Sequence, residues 1–180
     1  MSFALPERGA PWSDIEPRMR ELAKGDVKWR DGRTGMYIFN AGPEVEHVQK
    51  TAYAMFASEN GLGPAAFPSL AQMEREVVAA GLSLLNAPPG AAGVMSSGGT
   101  DSIFLAVKTA RDHARAKRGL NSGLNIVAPS SVHPAFDKAC MVMDIEMRRI
   151  PVKDYLADPA AMEAAVDANT LMLVGSAPCF

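Results

Sequence analysis

The residues best suited to bind a ligand form a short glycine-containing loop. Gly98 and Gly99 lie between the hydroxyl residues Ser97 and Thr100, directly before an amphipathic run. The first amides of a helix have no partner within the helix and lie at the positive end of its dipole. Glycines let the backbone approach a ligand closely and hydroxyls add donors, so the loop predicts an anion site, best suited to a phosphate. A tight strand-to-helix turn with ordinary hydroxyl capping is the alternative.

His133 is the second candidate, because its segment follows a predicted strand, Leu124 to Ala128. Ligands of open α/β sheets bind beyond the carboxyl ends of the strands, so His133 and the glycine loop are expected on one rim. His133 precedes Pro134 at a predicted helix start, which leaves two roles open, a helix cap or a catalytic group. Asp137 and Lys138, further along that helix, are predicted to form a solvated face.

The composition excludes several classes of function. The 180 residues are 48% hydrophobic and 21% charged, with a net charge of -2, which is typical of a globular chain. No basic block of the kind used by nucleic-acid-binding proteins is present, so no nucleic-acid partner is expected. Two cysteines and three histidines show no metal-ligand spacing, which predicts no metal site and a reduced, cytoplasmic setting. The longest nearly apolar run, Val77 to Leu85, is about half of a membrane span, so no span is expected.

The first half of the chain is predicted to be helical after an N-terminal arm. Residues 1 to 35 are rich in proline, glycine and charge, and we expect an extended arm with one short helix around Ile15 to Lys24. Apolar residues at helical spacing predict a second helix from Glu44 to about Ser58. A third helix is expected to begin at a cap on Ser69 and to end before the breaker Pro88 to Gly90.

After Gly90, short apolar runs alternate with helical stretches. This alternation predicts an α/β fold with a largely parallel sheet that is covered on both faces. The predicted strands are Gly93 to Ser96, Leu124 to Ala128, Ile145 to Ile150 and Leu171 to Gly175. The predicted helices are Thr100 to Arg118, Pro134 to Met143 and Pro159 to Val166, the last with Asp158 as its cap.

Several motifs, taken in their order along the chain, carry a resemblance to a known family. They are Gly93 to Arg111, Val132 to Lys138, and Ala160 to Val166 followed by Asn169 to Pro178. Together they resemble the pyridoxal-phosphate-dependent lyases of the sphingosine-1-phosphate lyase family, within the group II amino-acid decarboxylase superfamily. The resemblance covers roughly residues 35 to 180.

The resemblance implies a fold and a division of the chain. The fold is the first part of a fold-type I, aspartate-aminotransferase-like large domain with a mostly parallel sheet. That part is expected at residues 61 to 180, where the sequence stops after a strand. An N-terminal arm and helix are expected at residues 1 to 60.

The resemblance also implies a cofactor and the residues that bind it. Ser97, Gly98, Gly99 and Thr100 are implied to hold the phosphate of pyridoxal 5'-phosphate. His133 is implied to stack on the pyridine ring of this cofactor, where it can steer electrons and shuttle a proton. The glycine loop and the histidine segment would then serve one cofactor.

Two further residues are implied to lie near the substrate. Asn60 matches the asparagine of a family Asn-x-Leu-His motif, in which Gly63 replaces the histidine. Tyr37 is similar to a tyrosine that reaches toward the active site in this family, and packing within the arm is its alternative. His47 and His113 have no partner in sequence and are predicted to be surface or packing residues.

Two groups that the family needs are missing from this sequence. The family attaches its cofactor to a lysine as a Schiff base and keeps the pyridine nitrogen protonated with a carboxylate. Both groups lie in later segments, of the forms His-Lys and His-x-Asp-Ala, that this sequence lacks. None of the lysines present is at a position like that of the Schiff-base lysine. We therefore expect the N-terminal part of a longer enzyme, inactive alone.

The activity implied for the complete enzyme is retro-aldol cleavage of a phosphorylated sphingoid base to an aldehyde and phosphoethanolamine. Decarboxylation of an amino acid is the alternative within the superfamily. A non-catalytic phosphate-binding module is the alternative from another class, because a phosphate loop does not require chemistry. The implied partners are a phosphorylated amine substrate, the C-terminal remainder of the enzyme and a second copy in a homodimer.

Overall fold

The computed structural model describes residue 4, residues 6–35 and residues 38–177 of the chain. These described residues include six α-helices and three strands. Contacts divide the chain into two compact units, Met1–Leu70 and Ala71–Phe180. The boundary predicted after residue 60 stays a prediction. No helix among the described residues combines the length and the apolar character needed to span a bilayer.

The first unit contains α1 (Trp12–Leu22) and α2 (Pro43–Met55). They confirm the helices predicted around Ile15 to Lys24 and from Glu44 to about Ser58, with small shifts at the ends. No residue of either helix is buried within the chain. Both helices therefore keep most of their side-chain surface accessible.

The second unit contains most of α3 and an alternating series of helices and strands. The elements are α3 (Pro68–Leu84), α4 (Gly99–Arg118), β1 (Asn125–Pro129), α5 (Ala135–Met143), β2 (Glu146–Ile150), α6 (Pro159–Ala164) and β3 (Thr170–Leu173). Each of the elements after α3 was predicted, with ends that differ by a few residues. The alternation of short apolar runs and helical stretches was therefore a sound guide in this unit.

The three strands form a parallel sheet in the order β2-β1-β3. All five residues of the central strand β1 are buried. Ile126 and Val127 are both 0% exposed. Neighbouring side chains of a strand point to opposite faces, so the sheet is covered on both faces at β1. The predicted α/β fold with a parallel sheet is confirmed.

The core lies mainly on the face of the sheet that α4 and α5 cover. Ile126 and Ala128 of β1 pack there with Val107 of α4 and with Ala139 and Met143 of α5. Burying an aliphatic side chain of this size contributes about 1.5 to 3 kcal/mol. On the other face, α6 contacts β1. The helices that carry the candidate residues are thus fixed by the core.

The strand predicted at Gly93 to Ser96 is wrong. These residues pair with no strand among those that the structure describes, and Val94 is 73% exposed. Their contact is with α3, since the Met95 N–H donates to Glu74 Oε1 at 3.2 Å. An apolar run forms a strand only where a neighbour completes the hydrogen-bond ladder, which the run itself does not reveal.

Of the two predicted helix caps, one is wrong and one is confirmed. Helix α3 begins at Pro68, whose fixed φ suits the first position of a helix, so Ser69 lies inside the first turn and is not the cap. At α6, Asp158 Oδ1 accepts from the Ala161 N–H at 3.1 Å, with Pro159 as the first helical residue.

Candidate functional site

The start of α4 is an open cluster of backbone donors. Gly98, which precedes the helix, has φ +154° and ψ 176°, a conformation that favours glycine. A Cβ built on Gly98 or Gly99 meets no atom within 4 Å, so the space in front of the loop is open. The amides of Gly99, Thr100 and Asp101 have no acceptor within the described part of the chain. Free amides at the positive end of a 20-residue helix are suited to bind an anion such as a phosphate.

Asp101 holds the loop in this shape. Its Oδ2 accepts from the Ser97 N–H at 3.1 Å and from the Ser97 hydroxyl at 3.2 Å. Ser96 Oγ donates to the Gly98 carbonyl at 3.0 Å, which closes the turn. The arrangement is similar to a capping box, in which a side chain of the first turn binds the backbone before the helix.

These contacts change what the loop offers to a ligand. The Ser97 hydroxyl, which was predicted to face a ligand, donates to Asp101 instead. The Thr100 hydroxyl has no partner among the described residues. Asp101 was not among the predicted site residues, although an acidic residue three positions after the one that precedes a helix, here Gly98, is the signal of a capping interaction. Backbone amides are therefore the main donors of this site.

The His133 side chain caps the first amide of α5, one residue before Pro134 at the N-cap position. Its Nδ1 accepts from the Ala135 N–H at 3.0 Å, at the start of α5. An accepting Nδ1 assigns the proton of the neutral ring to Nε2. The side chain is exposed, and Nε2 has no acceptor within the described part of the chain. Capping is confirmed, and it leaves the ring faces and the Nε2 proton accessible.

The starts of α4 and α5 meet around one depression at the carboxyl end of the sheet. The depression has a volume of about 360 Å³ and is lined by Ser102, Ile103 and Ala106 of α4, Phe136 of α5, and Met172 to Gly175 at the end of β3. The glycine loop directly precedes this part of α4, and His133 directly precedes this part of α5. The two candidate segments thus border the same end of the sheet.

Arg149, at the end of β2, binds the segment that carries His133. Its Nη1 donates to the Ser130 carbonyl at 2.9 Å, and its Nη2 forms an ion pair with Asp137. The solvated face predicted for Asp137 and Lys138 is correct for Lys138, which is exposed, whereas Asp137 is ion-paired. The pairing was missed because twelve residues separate the partners in sequence.

The amino end of the sheet is closed by a polar network around Asn125. Asn125 is 0% exposed, its Nδ2 donates to Asp167 Oδ1 at 2.9 Å, and its Oδ1 accepts from the Thr170 hydroxyl at 2.7 Å. Arg148 forms an ion pair with Asp167 at 2.7 Å. Hydrogen bonds from Asn125, then from Arg148 and the Asn169 amide, hold the pKa of Asp167 well below its usual range. These groups bind one another, which suits a structural role.

The residues predicted to contact substrate lie in the first part of the chain. Asn60 is exposed, and its Oδ1 accepts from the Leu62 N–H at 3.1 Å, which forms a local turn. Gly63 follows, and its carbonyl accepts from the Ala66 and Phe67 amides at 2.8 and 3.1 Å. Tyr37 lies outside the described residues. Contact of Asn60 and Tyr37 with substrate stays a prediction.

Comparison with known proteins relates this arrangement to a family. The chain matches the family model of the pyridoxal-dependent decarboxylase conserved domain over residues 2–177. It is 37% identical over 177 residues to sphingosine-1-phosphate lyase 1 of Rattus norvegicus, and the match covers 98% of the chain. It is 41% identical over 171 residues to sphingosine-1-phosphate lyase of Oryza sativa subsp. japonica, and that match covers 90% of the chain.

The fold shows the same relationship. The chain is similar to the solved structure of a sphingosine-1-phosphate lyase from Burkholderia pseudomallei, with a TM-score of 0.89 and 34% identity over 100% of the chain. The relatives are longer, because the chain spans 31% of the rat and rice proteins and 43% of the bacterial structure. The matched region is therefore a part of each relative.

Proposed function

The chain belongs to the pyridoxal-dependent decarboxylase family, and we propose that it forms the part of a carbon-carbon lyase that holds the cofactor phosphate and stacks on the cofactor ring. Pyridoxal 5'-phosphate is the cofactor of this family. The proposed reaction of the full-length protein is cleavage of a phosphorylated sphingoid base, such as sphingosine-1-phosphate, to an aldehyde and phosphoethanolamine. Residues 61 to 180 would form the first part of the cofactor-binding domain, after an arm and helix at residues 1 to 60.

The observation that carries this proposal is the open start of α4. A phosphate needs several donors and room for close approach, and the glycine loop has free amides at Gly99, Thr100 and Asp101 with open space in front of Gly98. The phosphate group would accept from these amides and from the Thr100 hydroxyl. Ser97 would act through its bond to Asp101, which keeps the loop in the binding shape.

His133 is the proposed catalytic residue of the chain. Once bound, the cofactor supplies an electron sink for cleavage of a bond at the amine-bearing carbon. The cap bond from the Ala135 amide fixes the plane of the His133 ring, and a fixed, exposed plane suits stacking on a flat heterocycle. The Nε2 proton is the one that this side chain can donate to a nearby acceptor.

The choice between cleavage and decarboxylation rests on the relatives. The two reported relatives in the rat and in rice, and the similar bacterial structure, are named sphingosine-1-phosphate lyases. Decarboxylation of an amino acid, which the family's description names, is the second candidate. Both reactions use the same electron sink but break different bonds, so the phosphate loop serves either.

Other parts of the proposal concern groups outside the described site. Asn60 and Tyr37 would contact the substrate. The lysine that binds the cofactor covalently would come from the remainder of the full-length protein, because none of the lysines present lies at a position like the family's. We also propose a homodimer in the cytoplasm. In this view residues 1 to 180 alone form no pyridoxyl-lysine on reduction with borohydride and show no turnover, which peptide mapping would test.

The reaction itself is tested with the full-length protein and pyridoxal 5'-phosphate. A phosphorylated long-chain base should yield a long-chain aldehyde and phosphoethanolamine, detected by mass spectrometry. Glutamate and tyrosine, offered as decarboxylase substrates, should release no carbon dioxide. Carbon dioxide from an amino acid, without aldehyde from the phosphorylated base, would replace the lyase with the decarboxylase.

A further inference from the structure

We propose that Arg149 is a positioning residue that orients the His133 ring by bracing the segment on both sides of it. The inference rests on the proposed role of His133. Arg149 lies at the fourth position of β2, outside the glycine loop and the histidine segment. It would act on the reaction only through the geometry of His133.

The first brace is on the N-terminal side of His133. Arg149 Nη1 donates to the Ser130 carbonyl at 2.9 Å. Ser130 makes two more bonds with this part of the chain. Its N–H donates to the carbonyl of Ile150, the last residue of β2, at 2.8 Å, and its Oγ accepts from the Val152 N–H, just after β2, at 3.3 Å. The segment therefore leaves β1 along a path that β2 fixes.

The second brace is on the C-terminal side. Arg149 Nη2 forms an ion pair with Asp137, which lies in the first turn of α5. The Ala135 amide that donates to His133 Nδ1 belongs to the same turn. A shift of this turn relative to Ser130 would change the direction in which the ring is held. The Arg149 guanidinium thus contacts both Ser130, at the start of the segment, and Asp137, in the helix that the His133 side chain caps.

The chemistry of the side chain suits this task. Guanidinium is a planar fork with several N–H donors, and it binds two acceptors at once in a fixed geometry, which the single ammonium of lysine cannot reproduce. The side chains of Arg149 and Asp137 are 37% and 44% exposed, and an ion pair of this exposure contributes little to stability. Val132, next to His133, is 5% exposed and anchors the segment in the core. Loss of the fork should therefore alter the ring direction more than the fold.

The test uses the full-length protein, with histidine labelled by ¹⁵N and without added cofactor. The pair of signals that disappears in a His133→Gln variant belongs to His133, whatever the number of other histidines in the full-length protein. In the wild type, Nδ1 of His133 should show the shift of an unprotonated acceptor and Nε2 that of a protonated nitrogen. In Arg149→Ala, both shifts should move toward the tautomer mixture of a free imidazole.

Activity of the loaded enzyme gives the second measurement. Arg149→Ala should lower kcat about 10-fold, while KM changes less than about 2-fold, because only a directional contact is lost. Arg149→Lys should recover part of this loss through the ion pair alone. The matched control is Lys108→Ala, which removes another half-exposed pair, with Asp112 at 2.6 Å, and should leave kcat and the histidine shifts unchanged.

The outcomes separate this inference from the proposed function. Unchanged His133 shifts in Arg149→Ala, with or without a loss of activity or melting temperature, overturn the positioning role. Shifted signals together with a lower kcat support it. Shifted signals with normal kcat, in an enzyme where His133→Ala also has normal kcat, confirm the brace but overturn the catalytic role of His133. If Arg149→Ala does not fold, Asp137→Ala releases the second brace alone and must give the same shifts.

Discussion

The two ends of the parallel sheet use polar groups in opposite ways. At the amino end, Asn125 is fully buried and binds Asp167 and Thr170. At the carboxyl end, the amides at the start of α4 have no acceptor within the described residues, and the His133 ring is exposed. A polar group that the fold satisfies internally stabilises the fold, and one that it leaves free is available to a ligand. The contrast identifies the carboxyl end as the candidate site without any bound molecule.

Even the carboxyl end contains some structural bonds. Asp101 binds Ser97, Arg149 binds Ser130, and the Ala135 amide binds His133 Nδ1. These bonds fix the backbone that presents the free donors. Both ends of the sheet therefore contain hydrogen bonds that fix the backbone. They differ because only the carboxyl end also has donors without a partner among the described residues.

The largest effect is expected at the closed end. Asn125→Leu should lower the free energy of unfolding by about 3 kcal/mol, because the Asp167 carboxylate and the Thr170 hydroxyl lose their buried partner. Chemical denaturation of the full-length protein, followed by circular dichroism, measures the change. Asn121→Leu is the matched control, since Asn121 is exposed in the loop between α4 and β1, and it should change stability by less than about 0.5 kcal/mol. Equal stability of the Asn125 variant and the wild type would contradict the structural role of this network.

The next effect is expected at the open end. His133→Ala should lower kcat of the complete enzyme about 100-fold, equivalent to about 2.7 kcal/mol, as for a positioned proton-transfer group. Loss of the cap should lower stability by about 1 kcal/mol. His113→Ala, on the exposed side of α4, is the control and should retain full turnover. A lower melting temperature with normal turnover per folded molecule would leave His133 as a cap only.

A third effect tests whether the free amides of the glycine loop bind the cofactor phosphate. Gly98→Val should weaken binding of pyridoxal 5'-phosphate more than about 10-fold, or about 1.4 kcal/mol, because the side chain enters the open space and strains a backbone at φ +154°. Cofactor absorbance during titration gives the affinity. Gly25→Ala, at a glycine with open surroundings and no positive φ, should bind the cofactor normally. Wild-type affinity in the Gly98 variant would exclude this loop as the phosphate site.

The smallest effect concerns the stability of the fold at low pH. The pKa of Asp167 is lowered in the folded chain by its hydrogen bonds, first from Asn125, so the unfolded chain takes up this proton at a higher pH than the folded chain does. The stability that it contributes is present above about pH 4, the usual value for an aspartate, and is lost progressively as the pH falls further. Asp167→Asn should flatten this part of the stability profile between about pH 4 and 2. The same acid slope in the variant and in the wild type would assign the effect to other carboxylates.

Local patterns predicted the parts of the structure that depend on near neighbours. Helical spacing identified α2, and a capping aspartate before proline identified the start of α6. The glycine loop stood out because two glycines between hydroxyl residues directly precede an amphipathic run. The strand at Gly93 to Ser96 failed, because pairing depends on a neighbour that the run does not encode.

Contacts between distant residues could not be predicted. Asn125 meets Asp167 and Thr170 across 42 and 45 residues, and only the sheet order β2-β1-β3 brings them together. The predicted strand Leu124 to Ala128 placed Asn125 in the sheet, but nothing near it in the sequence identified its partners. Arg149 is another case, because its partners become neighbours only once β2 pairs with β1. Asp101 differs, since its contact is local and a search for capping interactions would have found it.

The two adjacent arginines of β2 make the register of this strand against β1 sensitive to the length of the connection that precedes it. Arg148 pairs in register with Val127 and reaches Asp167 on one face, whereas Arg149 pairs with Ala128 and reaches Asp137 on the other. A slip of one residue would turn each cation to the wrong face and leave both carboxylates unmatched. Single-residue insertions or deletions between α5 and β2 should therefore be strongly destabilising.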